Sequence, residues 1–200
     1  KGELAEMSAA KRAAMGQDVF ILDPFGEVTG EAARFRVGFN PFDELLAAGE
    51  ANMVDDSALL AEALIISDSR GDQHWTLSAK NVLRGLSLFA LHRAMTTGSP
   101  AHLPMIRDLV SLPMGDDDKG DGSTLRGLFK LMVETGDALG GAISRSGGTI
   151  GGKPPNERGS ILSTAQEQTA FLDSLPMREH LTASGGLKTL RQLKQRPTTI

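Results

Sequence analysis

Cysteine is absent from this 200-residue sequence, tryptophan occurs once, and aromatic residues make up only 4%. Without cysteine there is no disulfide framework, zinc–thiolate site, iron–sulfur cluster or cysteine nucleophile. A reducing compartment is compatible with that lack. Long apolar runs are missing too: nothing approaches the roughly 20 residues that span a bilayer, and Lys1-Gly2-Glu3-Leu4 does not have the form of a secretory leader. Neither sign of charge dominates, with 21 Lys+Arg against 25 Asp+Glu and a net charge of −4. That balance excludes the strongly basic footprint of a protein that grips nucleic acid through phosphate neutralisation. What remains is an ordinary globular composition, 40% hydrophobic and 23% charged. A chain of this length can build one sizeable core or two small ones. Running from Lys1 to Ile200, it reads as a segment of something larger, whose function is part of a function.

The pattern along the chain changes character twice. Leu4 to Met15 is Ala-rich and closed by Gly16, a short helix with a glycine stop. Asp18 to Leu22 is a short apolar run entering the turn Asp23-Pro24-Phe25-Gly26, which predicts a strand, and Phe35 and Val37 alternate with Arg34 and Arg36 as a second, edge-like strand. Beyond Phe39-Asn40-Pro41 the periodicity becomes helical. Phe42 to Ala48 ends at Gly49, and Asp55-Asp56-Ser57 opens a helix carrying Leu59, Leu60, Ala63, Leu64 and Ile66. Trp75, Ala79, Val82, Leu83, Leu86 and Phe89 recur at spacings of three and four, predicting an amphipathic helix to Thr97. Pro104 starts a further helix, and Ser123 or Thr124 caps one that carries Leu125 to Ile143. Gly147 to Pro155 reads as a loop, and Asn156 as the cap of a last long helix reaching Leu175. Thr198-Thr199-Ile200 is the opening of a strand. Helix and strand, then helices alone, then a return to strand, is the order of an all-α domain inserted into an α/β domain.

Several chemical constellations fail on inspection. Gly147, Gly152 and Lys153 match the glycine and lysine spacing of a phosphate-binding loop, but Pro154 stands where the magnesium-holding Ser or Thr belongs. Pro155 further restricts the backbone that would begin the phosphate-cradling helix. Asp116-Asp117-Asp118-Lys119-Gly120-Asp121 invites a calcium reading, yet counting from Asp116 places Gly120 and Gly127 where the fifth and twelfth ligands should be. It reads instead as a solvated acidic turn able to dock basic partners. His74, His92, His102 and His180 show no ligand spacing, and Ser160, Ser163 and Thr164 are better explained as helix caps than as nucleophiles. The basic tail Lys188, Arg191, Lys194 and Arg196 carries no interleaved aromatics. No catalytic, cofactor-binding or metal-binding residue emerges. The candidate partner contacts are Asp116, Asp117, Asp118 and Asp121 in the acidic turn, and Gly147, Gly148, Gly151, Gly152 and Lys153 in the glycine-rich segment.

Three blocks in order resemble the coupling proteins of type IV secretion and conjugation systems, the TraG-, TraD- and VirD-type hexameric ATPases. The first is Lys1-Gly2-Glu3-Leu4 with Arg12, Gly16 and Val19 to Phe25. The second is Phe39-Asn40-Pro41-Phe42 with Asp72-Gln73-His74-Trp75. The third is Glu157 to Ala165 with Phe171-Leu172-Asp173 and the close Leu187 to Ile200.

The resemblance implies a mainly α chain: an all-α domain over residues 48–182, inserted into a RecA-like nucleotide-binding domain of which residues 1–45 and 186–200 are the flanking segments. It implies a parent anchored in the bacterial inner membrane, working at the cytoplasmic face with ATP and magnesium. The Walker A loop and the Walker B strand lie outside this fragment, so the fragment itself is expected to have no cofactor and no ATP hydrolysis. The implied function is recruitment of secreted effector proteins, through their C-terminal secretion-signal domains, alongside other secretion-system subunits. The alternative is a coupling protein of DNA conjugation that docks a relaxase–DNA complex, without strong nucleic-acid contact of its own. The net acidity sets protein cargo first.

Overall fold

The structure, a computed structural model, describes residues 2–66, 73–115, 121–183, 187 and 189–200. It opens with α1 (Glu3–Ala14), whose Glu3 and Glu6 sit in the first turn and Lys11 and Arg12 in the last, matching the helix dipole at both ends. Gly16, at φ 80°, turns the chain out of the helix. Strand β1 (Asp18–Val19) then pairs in parallel with β2 (Thr198–Thr199), Asp18 opposite Thr198. The first and last segments of the chain are therefore neighbours. Both predicted N-terminal strands are shorter than expected. Ile21 makes only an isolated parallel bridge to Arg36, and the second predicted strand is largely replaced by a 3₁₀ turn over Gly30–Phe35. That bridge consists of two hydrogen bonds: Ile21 donates to the Phe35 carbonyl at 2.9 Å, and Val37 to the Ile21 carbonyl at 3.0 Å. Asp23 closes the intervening turn by accepting from the Glu27 and Val28 amides. Ala9, Ile21, Val28 and Ala32 form a small hydrophobic cluster of their own.

The main core belongs to the helices that follow: α2 (Pro41–Ala48), α3 (Glu50–Leu64), α4 (Gln73–Thr97), α5 (Pro104–Val110), α6 (Leu125–Glu134), α7 (Ala142–Gly152), α8 (Pro155–Gln168) and α9 (Leu175–Thr182). Helix α4 is the axis, packed against α3, α5, α7 and α8. Its residues Gly85 to Leu91 are buried without interruption, so its middle is enclosed on every side rather than along one stripe. The chain is mainly helical, as the composition and periodicity indicated. Among the described residues, no helix is long and apolar enough to cross a membrane.

Several local expectations are corrected. Helix α3 begins at Glu50, so Asp55, Asp56 and Ser57 lie inside it; Gly49, at φ 86°, both ends α2 and starts α3. The single helix expected over Leu125 to Ile143 is two, because Leu139, Gly140 and Gly141 all take left-handed backbone angles. Leu139 accepts a strain of roughly 1–2 kcal/mol in exchange for burying its side chain. The last long helix is likewise divided, into α8 and α9 around the 3₁₀ turn Ala170–Asp173, and its first residue is Pro155 with Pro154 at the cap position, not Asn156. Ser160 and Thr164 are interior to α8 and bond back to the Asn156 and Ser160 carbonyls.

Candidate functional site, two cationic depressions beside helix α7

The largest departure from expectation is α7. The segment read as a glycine-rich loop is helical from Ala142 to Gly152, with Gly147, Gly148, Gly151 and Gly152 all inside it. Glycine costs a helix roughly 1 kcal/mol per residue relative to alanine, so local preference opposes this outcome. Packing against α6 overcomes it. A Cβ on Gly147 would meet Met132 Cβ at 2.7 Å and the Phe129 carbonyl at 2.8 Å, so only glycine fits the contact. Gly151, one turn on, faces Phe129, which makes α6 and α7 an antiparallel hairpin. On its other side α7 crosses α4 just as closely: a Cβ on Gly85 would overlap Ser146, and the Ser146 hydroxyl donates to the Asn81 carbonyl at 3.3 Å.

This close approach leaves a depression on each flank of α7. The groove towards α6, about 430 Å³, has the four glycines and Phe129 as its floor and Arg126, Lys130 and Arg158 at its edges. Arg158 also finishes α7, its Nη1 donating to the Gly151 and Lys153 carbonyls. The cleft towards α4 and α8, about 500 Å³, is edged by Arg84, Arg145 and Lys153, with Ser78, Asn81, Ser146 and Thr149 between them. No acidic side chain lines either depression among the described residues. In a chain that is acidic as a whole, both flanks of one helix are thus cationic.

The sequence candidates divide accordingly. The four glycines are brought together as the groove floor. Lys153 is not with them: it faces the cleft and pairs with Glu157, whose carboxyl is held below its ordinary value chiefly by that hydrogen bond and further by His74. Asp121 is exposed, and its carboxylate accepts the Ser123 amide at 2.9 Å in the turn entering α6. Asp116, Asp117 and Asp118 lie outside the described residues. His74 stands 3.4 Å from Glu157 and edge-on to Trp75. No group of three potential metal ligands occurs among the described residues. Sequence reasoning missed Arg84, Arg126, Lys130 and Arg145. The spacing of Arg126 and Lys130 was available, since residues four apart share a helix face. Arg145 could be placed only by reading its segment as helix.

Among the described residues, fold and site together define a mainly helical unit with cationic recesses on both flanks of α7, joined to a small fringe of paired strands. The chain belongs to the type IV secretory system conjugative DNA transfer family, whose model matches residues 1–200. It is similar to two proteins of Escherichia coli, each named conjugal transfer protein TraG: 28% identical over 175 residues and 30% over 176. Each alignment covers 86% of this chain and 25% of the relative, so the chain corresponds to about a quarter of those proteins. No solved structure matches it.

Proposed function

We propose that residues 48–182 are the all-α domain of a coupling protein of DNA conjugation, and that this domain docks a relaxase–DNA complex for transfer. The observation that carries the proposal is the family match along the whole chain, together with relatives named for conjugal transfer. Net acidity had set effector secretion first; family and relatives reverse that order. Acidity keeps its bearing on direct DNA contact, because phosphate neutralisation draws on many Lys and Arg side chains. Docking therefore runs through the relaxase protein, with α7 and its cationic flanks as the contact region.

Two structural facts support the inserted-domain reading. The small cluster around Ile21 is separate from the helical core, and β1 and β2 pair in parallel although nearly the whole chain lies between them. Leu4, Met7, Met15 and Phe25 stand exposed on that same fringe. A nucleotide-binding domain continuing beyond residues 1–45 and 186–200 would cover them. ATP and magnesium then belong to the parent protein, as do a membrane anchor and turnover, and the fragment hydrolyses no ATP.

Titration of the labelled chain with the relaxase of a conjugative element, with an effector C-terminal domain and with ATP tests this reading. Saturable relaxase binding, without effector binding or ATP turnover, is expected. Binding of the effector domain alone, or ATP hydrolysis by the chain, overturns it.

A further inference from the structure

The cleft between α4, α7 and α8 holds unspent hydrogen-bonding capacity. Arg84 lines a cavity of about 500 Å³, and its Nε is buried without a hydrogen-bond partner. An orphaned donor of this kind carries the penalty of leaving water without the bond that would offset it. Its cationic neighbours are differently engaged. Arg145 is exposed and donates to the Gly140 carbonyl at 2.8 Å, and Lys153 is paired with Glu157. The hydroxyls of Ser78 and Thr149 add neutral donors, and Val54 and Val82 supply aliphatic wall. No acidic side chain and no aromatic ring line the cleft among the described residues.

We propose that this cleft binds an acidic peptide segment of a partner protein, with a carboxylate on Arg84 and an adjacent aliphatic side chain against Val54 and Val82. Guanidinium and carboxylate match in geometry as well as charge, since the two terminal nitrogens of an arginine can donate to two carboxylate oxygens side by side while the sealed Nε stays within the protein. Single-stranded nucleic acid fits less well. Non-specific strand binding depends on rings for the bases to stack on, and the cleft has none. The volume falls within the range of ligand sites, and a few placed polar groups among aliphatic side chains is their usual composition. The proposal goes beyond the conjugation reading and does not depend on it, because it concerns the chemistry of the segment and not the protein that carries it.

Fluorescence anisotropy with the full chain tests it. The probes are a labelled peptide alternating Glu with Leu, the same peptide with Gln for Glu, and a labelled oligo-dT strand. The Glu peptide is expected to bind, to weaken as salt is raised, and to lose at least tenfold in affinity with Arg84→Gln. Exposed Arg145→Gln weakens it several-fold, which keeps the test open if Arg84→Gln fails to fold. Lys11→Gln, an exposed change on α1 that lines neither flank of α7, leaves binding unchanged. Equal binding of the Gln peptide, insensitivity to both arginine substitutions, or tighter oligo-dT binding lost with the same substitutions each overturns the proposal. Relaxase binding measured on the same variants separates the two readings: a relaxase that binds while the Glu peptide does not removes only this inference, and the converse removes only the conjugation reading.

Discussion

Arg107 on α5 holds Asp173 in the turn before α9 with both Nε and Nη2, at 2.7 to 3.1 Å, while its Nη1 donates to the Gln166 carbonyl at the end of α8. A second pair runs the other way: Arg178 on α9 donates to Asp108, the next residue of α5, at 2.6 Å. Gln166 closes the set by donating to the Val110 carbonyl. A short helix of seven residues is thereby tied to the end of α8 and to α9, the elements that return the chain towards the fringe of strands. Arg107→Ala is expected to lower the urea midpoint more than Asp173→Asn, because it removes the carbonyl bond and the packing of the stem as well as the charge pair. If the two variants unfold at the same urea concentration, the contribution of Arg107 is confined to the ion pair.

The glycines of α7 and α8 separate two physical roles. Gly147→Ala drives a methyl into Met132 and the Phe129 backbone and should destabilise the chain by about 1–3 kcal/mol, the range for overpacking. Gly159, inside α8, has nothing within 4 Å of its notional Cβ. Gly159→Ala should stabilise by roughly 0.5–1 kcal/mol, through helix propensity and a less free unfolded chain. Urea unfolding of both variants checks the opposite signs. Loss of stability in Gly159→Ala, or none in Gly147→Ala, would contradict the packing argument.

That contrast also shows what was legible in the sequence. Helix α4 was, because Val82, Leu83, Leu86 and Phe89 repeat at helical spacing and Gly98, at φ 69°, stops it. So was the Thr124 cap, whose hydroxyl accepts the Gly127 amide at 3.2 Å, since capping chemistry is local. The identity of α7 was not. Its glycines look like loop punctuation until Phe129 and Met132 are seen across from Gly147, and that contact belongs to the tertiary fold. Strand lengths were not legible either. Asp18 to Leu22 has the composition of a buried strand, but its pairing among the described residues is that of Asp18 and Val19 with β2 and a single bridge from Ile21 to Arg36, and such partners lie far away in the sequence. The two depressions were half legible: the glycines of α7 stand out in the sequence, while the cations from α4 and α6 that line its flanks lie elsewhere in it.

Acid should weaken the fold in two stages. Burial holds the His102 and His180 imidazoles below their ordinary value; Asp108 pulls His102 up and Arg178 pushes it down, while Asp23 pulls His180 up. The unfolded chain protonates these groups near pH 6.5 and the folded chain only at lower pH. Between those values the unfolded state binds more protons, so stability falls as pH is lowered. The carboxyls form the second stage. Asp173 is held low by its hydrogen bond from Arg107, and Glu6 by the Thr29 amide and hydroxyl. Burial raises Asp23, but the Val28 and Glu27 amides and the Arg36 charge outweigh it and leave the carboxyl low. Their contribution is present above about pH 4 and is lost as pH falls through the lower folded-state values. His180→Gln should shrink the stage below pH 6.5 to the share of His102 and leave the carboxyl stage in place. Denaturant midpoints measured from pH 7.5 to 3 check it, and an unchanged profile would remove the assignment to His180.

Asn40 joins the strand fringe to the helical core with a fully used side chain. It is buried; its Oδ1 accepts the Phe42 amide at 3.2 Å as the cap of α2, and its Nδ2 donates to the Ala101 carbonyl at 2.8 Å and to Asp43 at 3.0 Å. Asn40→Ala removes the cap, worth about 1 kcal/mol, and leaves a buried carbonyl short of its donor, worth a further 1–3 kcal/mol. Asn40→Asp is isosteric and keeps the cap acceptor, but turns an amide donor into an anion facing the Ala101 carbonyl and the Asp43 carboxylate. The carboxyl introduced there should titrate above its ordinary value, because protonation restores a donor and removes the repulsion. The deficit of Asn40→Asp relative to the native chain should therefore shrink as pH falls from 7 towards 4, while that of Asn40→Ala stays nearly constant. Parallel urea titrations of the two variants and the native chain decide it: a deficit in Asn40→Asp that does not change with pH would show that the donated bond to Ala101 contributes little, and that Asn40 acts at this junction only as a helix cap.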